Sequence, residues 1–194
     1  MVDGSKVLSS PINPLAGFQP LNDADWPTDV MRLRDGFAGQ LNVYRVMAHN
    51  PALLAAWETL RNHVVRENAL PLDRLELVIL RAGYRANAEY EWAHHVVRGR
   101  AAGLSDERIR AAAQPRLADD LSGDQLMLRA VDELVDEGML SPAAIAALMA
   151  EFGQRGVLDL IATVGMYKTL AFILLSFATP IDDDIGEALA HRPL

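Results

Sequence analysis

Leu75–Val97, LELVILRAGYRANAEYEWAHHVV, decides how this chain folds. Its apolar residues recur at helical spacing on both sides of a short bend, so it reads as two helices, near 73–83 and 88–101. Into that apolar pattern it sets Glu76, Glu91, His94 and His95. Ionisable groups beside a core need a partner or a task. Glu91 and His95 are four apart and His94 is three from Glu91, so on one helix their side chains share a face. That makes an acid/base pair possible.

The same periodicity continues on either side. Asn50-Pro51 and Ser141-Pro142 place a cap before a proline at the first helical position. Asp73-x-x-Glu76 and Ser122-x-x-Gln125 have capping-box spacing, and Gly103 and Gly138 sit where helices stop. These marks predict helices near 29–47, 51–67, 73–83, 88–101, 105–113, 122–137, 141–152 and 156–178. No run alternates at period two, so the expected fold class is all-α. Residues 1–28, with Pro11, Pro14, Pro20 and Pro27, read as an extended arm. Residues 29–180 read as one helical domain, and 181–194 as a C-terminal tail.

A chain of 194 residues, 51% hydrophobic, buries one sizeable core. Its net charge of −8 argues against a nucleic-acid partner, because phosphate binding needs clustered Lys and Arg. The absence of cysteine removes disulfides, thiolate ligands and thiol redox chemistry together. The N-terminus lacks a signal-peptide pattern, which makes a cytoplasmic location the expectation. Gly156–Thr179 is long and apolar, but Asp159 and Lys168 interrupt it, so a buried core or subunit-facing helix is expected rather than a membrane span.

The candidate site residues each carry two readings. Glu76 lies three residues after Asp73 and fits a helix cap; alternatively it points into a cavity where desolvation makes it a proton carrier. Glu91 and His95 form either a solvated surface pair or a metal-free acid/base pair. Glu91-x-x-His94 has the spacing of a di-iron unit, but the second copy that such sites need is missing, so no metal is expected. Tyr90, Trp92 and Tyr167 are pocket walls or core packing. Arg81 and Arg85, in or beside the bend, are either surface arginines or the cations nearest in sequence for a carboxylated substrate.

The run ELVILRAGYRANAEYEWAHHVVRGRAAGLSDERI resembles the core helix pair of the carboxymuconolactone decarboxylase and alkylhydroperoxidase D family. NVYRVMAHNPALLAAW and LIATVGMYKTLAFILLSFATP resemble the longer members whose motif reads Tyr-Glu-Trp-x-x-His. The resemblance implies an oligomeric alkylhydroperoxidase D-like helical bundle, a trimer or hexamer. In the peroxidase branch a glutamate is followed by Cys-x-x-Cys and a histidine. Laid on this chain, the glutamate falls on Glu76, the cysteines on Ala88 and Glu91, and the histidine on His95. The sulfur is gone and the proton-handling groups remain.

The resemblance therefore implies Glu76, Glu91 and His95 as catalytic residues, with Tyr90, His94, Arg81 and Tyr167 around a small-molecule substrate. His95 is the expected acid, with Glu91 and Glu76 orienting it. The expected activity is a cofactor-free lyase or isomerase acting on a small carboxylated or carbonyl metabolite, not a thiol peroxidase. The alternatives are a non-catalytic small-molecule-binding protein and a metal-dependent peroxidase-like enzyme.

Overall fold

The computed structural model describes residues 17–117 and 123–194. Among these the chain is helical, with no strand. In order the helices are α1 (Met31–Arg34), α2 (Asn42–Met47), α3 (Pro51–Arg66), α4 (Leu72–Arg85), α5 (Glu89–Ala101), α6 (Asp106–Ala111), α7 (Gly123–Asp136), α8 (Pro142–Ser176) and α9 (Asp183–His191). The all-α expectation is met. Asn50 and Ser141 cap α3 and α8 as read from the sequence, accepting hydrogen bonds from the Leu53 and Ala144 amides.

Two local expectations fail. The continuous helix over 29–47 is instead two short helices separated by a 3-10 turn, because Leu41 adopts an extended conformation after the Gly36–Gly39 stretch. The helices expected at 141–152 and 156–178 are both present within Pro142–Ser176, divided by a kink at Gly153, whose φ of 66° a side chain rarely adopts. Residues 183–191, expected as tail, form α9 and pack against α5. Most of the proposed arm, residues 1–16, lies outside the described residues, as does Ser122. The described end folds back: Trp26 is buried, and Arg45 donates to the Leu21 carbonyl.

The antiparallel pair α4 and α5 is the frame of the site. Asn87, at a φ of 53°, ends α4; its amide donates to the Tyr84 carbonyl and the Ala88 amide to the Gly83 carbonyl, a Schellman turn. Asn is among the few residues that tolerate this conformation. Gly83 then lets the helices close on each other, since a Cβ there would sit 3.2 Å from Glu91 Cβ. The pair is enclosed by α7 and α8, with Leu54, Val78, Met127 and Leu160 in the main core. More than half of the most apolar stretch of α8, 56%, is buried in this packing.

Candidate functional site

α5 presents Glu91 and His95 one turn apart, and α4 presents Glu76 opposite them. His95 Nδ1 lies 2.7 Å from Glu76 Oε2, and His95 Nε2 lies 3.6 Å from Glu91 Oε2. Glu76, Glu91 and His95 are only 6%, 3% and 1% exposed. A carboxylate oxygen only accepts, so Nδ1 donates to Glu76 and Nε2 turns its lone pair toward Glu91. The longer separation is not a hydrogen bond. It leaves a gap between a base and a carboxyl group whose Oε1 has no partner among the described residues.

That gap opens into a cavity of about 20 Å³ lined by Glu91, His95, Arg98, Tyr44, Tyr90 and Tyr167, among others. Its volume is room for roughly one water-sized group. The Tyr167 ring meets His95 edge-on, with centroids 5.0 Å apart, and fixes the imidazole plane. Burial raises the Glu91 carboxyl to about 8; Arg98 pulls it down and the Glu76 charge pushes it further up. Burial lowers the His95 imidazole below its ordinary 6.5, against the raising effect of Glu76. At neutral pH the two groups are thus a protonated carboxylic acid facing a neutral imidazole. Burial also raises the Tyr167 phenol well above 10, so it stays protonated.

Glu76 is not a cap. α4 begins at Leu72, one residue ahead of Asp73, which makes Glu76 its fifth residue and turns it onto α5. Asp73 instead accepts a hydrogen bond from Arg108 at 2.9 Å. His94 points away from His95 into a second buried group: its Nδ1 is 2.8 Å from the Tyr90 carbonyl and its Nε2 2.8 Å from Asp182 Oδ2. The Tyr90 hydroxyl donates to the same Asp182 oxygen, and its ring stacks on His94. Burial pushes the Asp182 carboxyl up, but the hydrogen bonds from His94, Tyr90 and the Asn42 amide outweigh it and hold it below the usual range. His94 and Tyr90 still edge the cavity. Their separate partner also divides Glu91-x-x-His94, and among the described residues no three His, Asp or Glu side chains are grouped to hold a metal ion.

The expectation that Arg81 binds substrate is overturned. Arg81 is 1% exposed and reaches α7, donating to both Asp132 oxygens at 2.7 and 2.6 Å and to the carbonyls of Ala112 and Gln114. Arg85 is likewise held by Asp132 and Asp136. These arginines brace α4 against α7 and the end of α6. Arg81→Ala, which leaves Asp132 and two carbonyls without this donor, is expected to lower stability by about 3–5 kcal/mol in chemical denaturation. A folded variant with wild-type stability would return Arg81 to candidacy as a surface or ligand residue. Trp92 faces away from the cavity and packs with Leu77, Leu80 and Val96.

Sequence reasoning missed Arg98, Tyr44 and Asp182. Arg98 was readable, because it follows His95 by three and Glu91 by seven on one helical face. Tyr44 and Asp182 come from distant segments and gave no local signal.

Residues 51–133 match the model of the Carboxymuconolactone decarboxylase family. That is the family the sequence resembles, and the matched region holds Glu76, Glu91 and His95. No curated protein matches the chain in sequence. The fold recurs in an uncharacterized peroxidase-related protein from Silicibacter sp. TM1040, with a TM-score of 0.70 at 16% identity over 92% of this chain and 97% of that one. It recurs in the alkylhydroperoxidase AhpD core of an uncharacterized peroxidase-related protein from Ralstonia eutropha JMP134, with a TM-score of 0.73 at 16% identity over 90% and 96%. A variant of the debrominase Bmp8, in complex with 2,3,4-tribromopyrrole, matches with a TM-score of 0.67 at 16% identity over 90% and 96%. The carboxymuconolactone decarboxylase-like region therefore sits in an alkylhydroperoxidase D-like fold, here without the sulfur of a thiol peroxidase.

Proposed function

We propose that this chain is a metal-free acid/base enzyme of the carboxymuconolactone decarboxylase type, a lyase or isomerase acting on a small carboxylated or carbonyl metabolite. The observation that carries this reading is the buried line Glu76, His95, Glu91, with a neutral base and a protonated acid facing each other across a cavity. The family match and the debrominase neighbour support an enzymatic role at the level of the family.

The roles differ from those expected from sequence. His95, oriented by Glu76, is the base, and Glu91 is the acid. In an isomerisation, His95 Nε2 takes a proton from the carbon beside a carbonyl. Glu91 gives one to the other end of the enolate system, and the 3.6 Å contact returns the proton. In a decarboxylation, the carbon–carbon bond breaks, carbon dioxide leaves, and Glu91 protonates the remaining carbanion or enolate. Neither reaction needs a thiol or an electron acceptor.

Assembly into a homo-oligomer, a trimer or hexamer, belongs to the same proposal. Leu158, Ile161, Phe172 and Leu175 leave an apolar face exposed on α8, of the kind subunit contacts use.

The test is a panel of lactones, keto acids and hydroperoxides assayed across pH, with metal analysis of the purified protein. Turnover of a lactone or keto acid is expected, with a rate that falls as pH rises through about 8 and Glu91 ionises. Tyr44, Tyr90, Tyr167, His94, His95, Arg98 and Glu76 are the other titratable or charged groups at Glu91. Hydroperoxide reduction, or stoichiometric metal bound at Glu91, would overturn the reading.

A further inference from the structure

The cavity at His95 and Glu91 has room for about one water-sized group, so a metabolite reaches these residues only if a wall of the cavity moves. Two walls, α5 and the part of α8 that carries Tyr167 and Leu170, belong to the packed body. The third is the segment from Leu41 to Tyr44, where extended Leu41 leads into α2. The first amides of a helix have no acceptor within it. Here they are met across a seam. Asn42 donates its backbone amide to Asp182 Oδ1 at 2.9 Å and its side-chain amide to the Pro180 carbonyl at 3.2 Å, while the Val43 amide donates to the Tyr90 hydroxyl at 3.4 Å. Asp182 Oδ2 takes the Tyr90 hydroxyl and His94 Nε2 from α5. One carboxylate thus ties the third wall to α5.

The Tyr90 carbonyl and the Asp182 carboxylate only accept, so His94 meets them with two N–H groups, as an imidazolium. The segment that carries Asp182 is otherwise lightly anchored. Of residues 177–194 only Asp182 and Ile185 are buried, and the far end is held at the surface by Arg100, which donates to the Arg192 carbonyl. Leaving α8, the chain turns at Ala178 with a φ of 48°, a conformation costly for a residue with a side chain. The buried Thr179 hydroxyl finds no partner among the described residues. Few buried apolar contacts, local strain and an unsatisfied polar group mark a segment that opens without global unfolding. We propose that residues 178–191 form a strap that closes the acid/base cavity, with Asp182 as its latch, and that substrate is admitted when the Asp182 carboxylate lets go of Asn42, Tyr90 and His94. This rests on the acid/base reading only in treating the cavity as a site; the motion does not depend on it.

The test is amide hydrogen exchange followed by NMR on the full chain, paired with diethyl pyrocarbonate, which acylates neutral imidazole, mapped to His95 by mass spectrometry. In wild type the Asn42, Val43, Ile185 and Gly186 amides are expected to exchange together, through one opening, well ahead of core amides such as Val78. Asp182→Asn keeps the shape of the latch and removes its charge. It is expected to raise exchange at all four amides, and acylation of His95, by about tenfold, the scale of a hydrogen bond to a charged group, with Val78 unchanged. Tyr90→Phe removes one donor from the latch and is expected to raise both readouts several-fold, which keeps the test decisive if Asp182→Asn does not fold. Exchange of the two segments through separate openings, acylation of His95 that stays at the wild-type rate when exchange rises, or an equal rise at Val78 would overturn the strap. Because neither readout uses a substrate, a chain that opens in this way yet turns over no lactone or keto acid keeps this inference and loses the proposed function.

Discussion

His95→Ala loses turnover by about 10²–10⁴-fold, the contribution of a positioned general base. Among the described residues the imidazole is the only side chain that contacts both carboxyls, so no neighbour among them takes over its role. Its removal also leaves Glu76, 6% exposed, without its partner at 2.7 Å. An uncompensated buried carboxylate costs about 3–5 kcal/mol, so the variant unfolds at lower temperature. Glu76→Gln on the His95→Ala background removes that charge and is expected to restore stability without restoring rate. Initial rates, thermal unfolding and light scattering on the three proteins check this, with the molecular mass in solution expected to be the same in all three. Retained activity in His95→Ala would remove His95 from the mechanism.

Glu91→Gln gains stability while it loses activity. The folded Glu91 carboxyl holds its proton up to about 8, whereas an exposed one releases it near 4.5. Between these values the unfolded chain binds fewer protons than the folded one, so stability falls as pH rises across that window. The gap corresponds to roughly 4–5 kcal/mol at pH 8, at about 1.4 kcal/mol per pH unit. Glutamine has nearly the same shape and nothing to ionise. The variant should therefore exceed wild type by a few kcal/mol at pH 8, roughly 3–5, with the advantage vanishing near pH 4.5. Denaturant titrations at the two pH values measure this directly. A pH-independent difference, or a variant less stable at pH 8, would mean that Glu91 is ionised in the fold and is not the acid.

Much of the acid/base centre was legible because its spacing is local. Glu91 and His95 sit four apart on one helix, and Glu76 belongs to the preceding helix of a tight antiparallel pair. Any chain folded as that pair brings them near each other. Whether Glu76 capped α4 or faced α5 turned on where the helix begins, since with Asp73 as cap Glu76 is the third helical residue, whereas the start at Leu72, two residues earlier, makes it the fifth, too far along to reach back to the cap amide. Arg81 shows the opposite failure. It lies beside the bend in sequence, yet its long side chain found Asp132, 51 residues away, before it could reach the cavity. Asp182, 88 residues from His94, was invisible for the same reason, and so was the docking of α9 that carries it.

The amino-acid sequence alone determined that this protein is helical, that its ionisable groups sit in apolar helices, and that it has no sulfur for thiol chemistry. Those properties follow from periodicity, capping and composition, which act within a few residues. Only the tertiary structure decided which carboxyl is protonated, which arginine lines the cavity and which histidine joins the two carboxyls. These depend on burial and on partners supplied by distant segments, and in this acidic chain the partners compete for each cation.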